Sequence, residues 1–439
     1  MATLKRALGR WDLTALGVNQ VIGGAIFVWP ALVAAQIGAW SPIGFVAIGL
    51  LSLSVALCFA EAGSRFEGTG GPYLYTRAAF GDFIGFEVGW MQWFSRATSQ
   101  ASIMSATALA IGYYWPVMTA GWPRVAFLAG LTCAFASINV RGIRQSAWVV
   151  NAFTIAKLVP LALFIGVGLM FIQPARLTTL PPITMGQAGT AALLLIFIYG
   201  GYEVVPVPGG EAIDPRRDVP FAIVATVIAA MVIMTLAHIV LQSVLPDVAA
   251  HSTPMADAAA EFLGAGGALL IGVGSVISMS GNNAGQVLNG SRMLYALAEQ
   301  RQLPSFLGRV HPRFQTPVNA IVCTSAVALI LALSGSLTAT ASVSALARLL
   351  MYAGSAAAAL RLRSASSASI DVKPATFVTP FGVVVPTVAI VVCAGIAAGA
   401  TRDQLLGGIA ALAVGAALFA TQSGQQRAQG TGHRAAARR

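Results

Sequence analysis

Four cationic side chains lie inside long apolar runs: Arg96, Lys157, Arg292 and Arg348. At 1.5 Å per residue Lys157 sits about 15 Å into its run, too deep to snorkel to an interface. Holding an ammonium there costs about 2.5–3.5 kcal/mol on insertion scales. Burial disfavours the charged form, so Lys157 could load and release a proton. The plainer reading is a static lysine bridging backbone carbonyls of neighbouring helices. Arg96, at roughly 20 Å from either end of its run, has Ser95, Thr98, Ser99 and Gln100 for company. That company turns it toward a protein interior, where it could pair with the acid Glu203 or with an acidic group of a bound solute. Arg348 lies equally deep and suits an ion pair at an outer gate. Arg292 is nearer the end of its run and reads as structural. Glu203 is a second candidate protonation site or gate, or a neutral hydrogen-bonded anchor for its helix.

The backbone supplies a second kind of chemistry. Val21-Ile22-Gly23-Gly24-Ala25-Ile26-Phe27 interrupts the first apolar run, and Phe197-Ile198-Tyr199-Gly200-Gly201-Tyr202-Glu203 interrupts the sixth. Each mid-helix glycine costs about 1 kcal/mol relative to alanine. Freed backbone inside a bilayer is tolerated only where it is buried in protein or lines a cavity. Two interrupted spans in corresponding positions are the sequence sign of a solute site at mid-membrane. N–H groups at Gly23, Gly24 and Ala25, heading a half-helix near Ile26, favour a carboxylate. Carbonyls of Ile198, Tyr199 and Gly200 can accept from an ammonium. Ile22 completes the first break. Phe197 and Tyr199 could close an aromatic lid, although core packing is the better reading of each alone, and Asn282, Asn283 and Gln286 could line the same cavity at helical spacing. Close helix packing on small residues is the alternative use of the glycines.

The elements that must carry these groups follow from composition. The chain is 57% hydrophobic and 9% charged over 439 residues, against about 25% charged for a soluble domain. This is an all-α polytopic membrane protein. Windows of about 19 residues predict about twelve transmembrane helices, near 13–38, 41–63, 83–113, 123–139, 147–172, 188–212, 219–245, 264–297, 317–334, 338–360, 382–400 and 403–421. Residues 1–12 form a cytoplasmic segment, and 13–421 the membrane domain. Within it helices 1–5 occupy about 13–172, helices 6–10 about 188–360 and helices 11–12 about 382–421. The basic tail, 422–439, is too poor in apolar residues to fold and is expected to be disordered. The two breaks are five spans apart, and an odd number of spans per repeat forces the halves to be inverted.

Nineteen of the 26 Lys and Arg residues fall on one side of this arrangement, and only Arg124, Arg176 and Arg402 on the other. The positive-inside rule then sets both termini in the cytoplasm. The net charge of +11 is spread between apolar runs without interleaved aromatics, which argues against nucleic acid and leaves only contact with anionic lipid. Cys58, Cys133, Cys323 and Cys393 are dispersed in apolar runs and form neither a metal motif nor a disulfide framework. No cleavable signal pattern is read at the N-terminus, so the first span is expected to stay.

Four ordered motifs carry a family resemblance. Gly17-Val18-Asn19-Gln20-Val21-Ile22-Gly23-Gly24-Ala25-Ile26-Phe27 with Pro30 resembles the first helix of amino-acid permeases of the amino acid–polyamine–organocation (APC) superfamily. Gly201-Tyr202-Glu203, followed by the stretch from Glu211 to Pro220, is similar to the sixth helix and its cytoplasmic exit. Ser291 to Ala296 through Leu303-Pro304, His311 to Phe314 and Thr316-Pro317 resembles the end of the eighth. Lys157 before Leu158-Val159-Pro160 matches a lysine kept in part of the family. The resemblance covers roughly residues 10 to 420. It implies a five-plus-five inverted repeat with unwound helices 1 and 6 plus two peripheral helices, binding an amino acid at Ile22 to Ile26 and Phe197 to Gly200. Arg96 and Asn282 are outside the family motifs and join this candidate site on depth, polar company and helical spacing alone. The resemblance also implies proton coupling at Lys157, which takes the place of a sodium ion; at Glu203, where the family tends to carry an acid, a second proton site and a neutral anchor stay equal alternatives. Two departures stand out. Gly23-Gly24-Ala25 lacks the hydroxyl usual at the first break. Pro206, Pro208, Gly209 and Gly210 fall where helix formers are usual, so the inner half of helix 6 is expected to be irregular.

The function implied is secondary active transport of amino acids in the cell membrane, by proton-coupled symport with alternating access. An exchanger or polyamine carrier is the alternative, and a non-transporting sensor a weaker one, since the tail after Thr421 is short. No HExxH, GxSxG or paired intramembrane aspartates suggest an enzyme, and no metal or cofactor is expected. The expected partners are an amino acid, protons and membrane lipid.

Overall fold

The computed structural model describes residues 4–112, 115–178, 180–334, 337–364, 372–398 and 402–436. Helices meet every apolar run. The first run holds α1 (Arg10–Val21) and α2 (Ala25–Ile37), and the second holds α3 (Ser41–Gly63). A short α4 (Pro72–Phe80) precedes α5 (Asp82–Gly112), α6 (Gly121–Arg141) and α7 (Ile143–Gly168). After the single turn α8 (Ala175–Thr178) come α9 (Met185–Tyr199), α10 (Pro215–Val244) and α11 (Pro254–Glu299). The chain continues through α12 (Val318–Ser334), α13 (Leu337–Ser364), α14 (Val384–Ala398) and α15 (Arg402–Ala436). Among the described residues the only extended pairing is a bridge between Leu8 and Ala212.

Local chemistry sets the helix ends. Thr184 and Gln187 form a reciprocal capping box that starts α9, Gln187 N donating to Thr184 Oγ1 at 3.2 Å and Thr184 N to Gln187 Oε1 at 2.9 Å. Pro215 and Pro254 open α10 and α11, where a missing N–H costs nothing. Gly142, at φ 145°, turns the chain between α6 and α7.

The outside of this bundle is apolar. Trp122 and Met170 are each 82% exposed and Ile409 60% exposed, an arrangement that water would not support but lipid does. Among the described residues six helical stretches are long and apolar enough to cross a membrane: Trp29–Gly63, Gly121–Arg141, Ile143–Phe171, Pro215–Val244, Pro254–Glu299 and Leu405–Gln422. Inside, α3 packs on α10, α5 on α11 and α13, and α7 on α11 and α1.

Two elements differ from the sequence expectation, and a third, the inner half of helix 6, is irregular as expected. The run 188–212 is helical only to Tyr199, and 3₁₀ turns at Tyr202–Val204 and Gly209–Glu211 carry the chain to α10. Pro206 and Pro208 lack the N–H groups that an α-helix would need there. Backbone bonds close short turns instead, Gly209 N to Pro206 O at 3.2 Å and Glu211 N to Pro208 O at 2.8 Å. The eighth run begins earlier than 264: Gly264, at φ 66°, is a break within α11, and the ten residues before it, read as loop, are helical. The tail from 422, expected to be disordered, continues α15 as helix to Ala436. Ala, Gln and Arg are good helix formers, and the apolar part of α15 has already nucleated the helix that they extend.

Candidate functional site

At the first break α1 stops at Val21 and α2 starts at Ala25. The carbonyls released there are taken up by side chains of α7 and α11. Lys157 Nζ donates to Ile22 O at 2.8 Å, Asn19 O at 3.0 Å and Ser278 O at 3.4 Å, and is fully buried. Ser278 Oγ adds a bond to Ile22 O at 3.1 Å. Asn282 Nδ2 donates to Gln20 O at 3.0 Å and to Asn19 O at 3.5 Å. Asn282 therefore ties α11 to the end of α1, and its amide is already committed. Ile22 and Ile26 are buried in the core, so what they bring to the cleft is backbone. Gly24 remains partly accessible, and a Cβ there would come within 2.7 Å of Met279 Cγ. Gly23 N donates to Val21 O at 2.9 Å and Phe27 N to Gly24 O at 3.2 Å, so an anion at this break is left with the N–H groups between them. The side chain of Ala25 lies outside the described residues.

The second break meets the first. Gly201 has φ 144°, and a Cβ on it would stand 2.6 Å from both Gln20 C and Val21 N. Only glycine allows this backbone crossing. Phe197 stacks on Trp29 with ring centroids 4.4 Å apart and planes at 19°, both rings half-buried. Tyr199 is buried and donates from its hydroxyl to Phe45 O at 2.8 Å, facing α3. Ile198 is buried in the core beside it.

Glu203 forms the centre of a buried polar cluster. Its Oε1 accepts from Arg96 Nη2 at 2.8 Å and pairs with Arg348 Nε at 3.5 Å. Its Oε2 accepts from Gly201 N at 2.7 Å and from the Tyr352 hydroxyl at 2.8 Å. Gln92 Nε2 donates to Glu203 O at 3.1 Å. Arg348 also donates to Ser99 Oγ at 3.2 Å and, weakly, to Phe197 O at 3.4 Å, with its guanidinium 5.1 Å from the Phe197 ring. Arg348 thus belongs to the second break together with Arg96. Gln286 reaches Ser99 Oγ at 3.4 Å and Asn282 Oδ1 at 3.1 Å, while Asn283 reaches Thr107 at 3.5 Å. Arg292 lies apart, in a buried two-bond pair with Glu211 at 3.0 and 3.2 Å.

Trp29, Ser278 and Tyr352 were not singled out from the sequence. Two of them carry a signal in their spacing: Ser278 precedes Asn282 by one helical turn, and Tyr352 follows Arg348 by one. Trp29 offered none.

Comparison with known proteins agrees with these features. The model of the amino acid permease family matches residues 8–419, nearly the whole chain. The chain belongs to the amino acid permease family. It is 31% identical over 348 residues to the serine/threonine exchanger of Bacillus subtilis, covering 75% of this chain and 77% of that one. It is 27% identical over 358 residues to the branched-chain amino acid permease of the same organism, covering 76% and 75%. The arginine/ornithine antiporter of Pseudomonas aeruginosa is 31% identical over 333 residues, covering 71% of this chain and 68% of the antiporter. As a permease with these apolar helices, the protein is a multi-pass membrane protein whose relatives are transporters and not enzymes.

Proposed function

We propose that this permease is a secondary active transporter that carries an amino acid by alternating access and couples it to protons through Lys157. One observation carries the reading. Two interrupted helices touch at Gly201 and Gln20, and beside them a buried lysine holds carbonyls of α1 and α11. An ammonium has three N–H donors, matching the three carbonyls around Lys157, whereas a neutral amine has two. Deprotonation would strand one carbonyl and loosen α7 from α1 and α11, which gives the proton a lever on the broken helix.

The packing supports a five-plus-five inverted repeat within twelve spans. Counting α1 with α2 and α9 with the segment after it as single spans, the contact of the fifth span with the eighth has its counterpart in that of the tenth with the third. The charge asymmetry supports a cell-membrane protein with cytoplasmic termini. Glu203 is held by two arginines, a tyrosine and a backbone N–H, which supports a fixed anchor for the second break better than a proton carrier.

Exchange is the second reading. Lys157 has every donor satisfied, as a permanent structural cation would, and two of the relatives carry exchanger or antiporter in their names. Reconstituted protein separates the two. In the symport reading an inward proton gradient raises amino-acid uptake and sodium has no effect. Lys157→Met then loses accumulation by tenfold or more while keeping counterflow. Sodium-stimulated uptake in the parent, or proton-driven accumulation intact in the variant, would remove Lys157 from coupling.

A further inference from the structure

Resting on the reading of this site as an amino-acid cleft, a charge count goes further. Arg96 and Arg348, 1% and 4% exposed, share one carboxylate, that of Glu203. Of the other acids of the expected spans, none whose side chain is described pairs with these guanidiniums. Glu61 is bonded by Arg363 at 2.6 Å and Glu211 by Arg292 at 3.0 Å, while Glu87, beside Gly415 on α15, has no hydrogen-bond partner. One of these two guanidiniums is therefore left without a counter-charge among the described residues. The donors match the count: Arg96 Nε and Nη1 have no hydrogen-bond partner, and Arg348 Nε has only its 3.5 Å ion pair with Glu203. Such orphaned, charged donors are costly unless something arrives to receive them.

Their position is built. Gly200 has no side chain at the one place where a Cβ would collide with Arg348 Nη1, so the second break opens directly onto this guanidinium. Phe197, the residue facing Trp29, lies beneath it. The α-carboxylate has its own receptor in the first turn of α2, which leaves the two guanidiniums for the far end of the substrate.

We propose that Arg348 and Arg96 form a receptor for an anionic substrate side chain, so that the transported amino acid is acidic. A planar carboxylate can take paired N–H donors from a guanidinium and neutralises the surplus charge on entry. A cationic side chain would place a third positive group beside them. A neutral one would leave the donors unmet.

Thermal unfolding of the purified full-length protein tests this with L-aspartate and L-glutamate against L-asparagine, L-glutamine, L-leucine and L-arginine. The acids should stabilise with an apparent Kd lower than that of their amides by about tenfold to a hundredfold, the worth of a charged hydrogen bond. Arg348→Met should erase that preference, and Arg348→Lys should keep part of it. If Arg348→Met does not fold, the acid-to-amide ratio in the parent protein decides alone. Amides or leucine binding as well as the acids would overturn the proposal and leave the amino-acid cleft standing. No stabilisation by any amino acid would overturn both. Sulfate or chloride stabilising as strongly as the acids, without competition from them, would also overturn it and mark an inorganic anion site.

Discussion

At the scale of single residues, the buried charges depend on one another. Removing one partner of a buried ion pair commonly costs about 3–5 kcal/mol because the other is left uncompensated. Glu203 compensates two. Glu203→Gln should therefore lower the unfolding temperature more than Arg348→Met does, and the double variant should be more stable than Glu203→Gln alone. Differential scanning calorimetry of the three proteins checks the order, and a double variant no more stable than the single would show that the arginines do not depend on Glu203. The depth of Lys157, Arg96 and Arg348 was legible in the sequence, because depth follows from counting residues along a run. Their partners were less so. Arg96 lies 107 positions from Glu203 and Tyr352 lies 149, and no local pattern states which helices meet. Tyr199 packs in the core, the better of its two readings, but its partner was not legible: periodicity gives a helix face only relative to its neighbours, and the rotation of α9 turns this ring to Phe45.

At the scale of elements, the interruption of helices is the main device, and it was legible because glycine and proline act on the backbone they belong to. Gly23-Gly24 and Gly200-Gly201 mark the breaks, and Pro206 with Pro208 mark the stretch that is not α-helical. What could not be read is that the breaks touch. The contact depends on Gly201, whose φ of 144° and 2.6 Å clearance to the α1 backbone leave no room for a methyl group. Gly201→Ala should cost about 2 kcal/mol or more from strain alone. The variant should also pull the Gly201 N–H off Glu203, loosening the cluster as well as the crossing. The expected result is a lower unfolding temperature together with loss of substrate-induced stabilisation. Gly266→Ala, in open space on α11, is the control that should change neither. A Gly201→Ala protein with both properties intact would show that the two broken helices do not meet at this residue.

At the scale of the whole molecule, the same asymmetry that makes the chain basic should also orient it. The segment after α10, residues 245–253, carries Asp247 and no Lys or Arg, whereas the segment after α11 carries Arg301, Arg309 and Arg313. Loops rich in arginine resist translocation, so the second should stay in the cytoplasm and the first should cross. Both segments offer an exposed serine, Ser252 and Ser305, and only α11 separates them. The four native cysteines lie within helices and are free, so each can be replaced by alanine to give a silent background. In intact cells a membrane-impermeant maleimide should label Ser252→Cys and spare Ser305→Cys, which should become reactive only after permeabilisation. The reverse pattern would invert the molecule and contradict the charge argument. Labelling of both, or protection of both, would mean that α11 does not cross the bilayer, and an odd five-span offset between the two broken helices could not then be sustained.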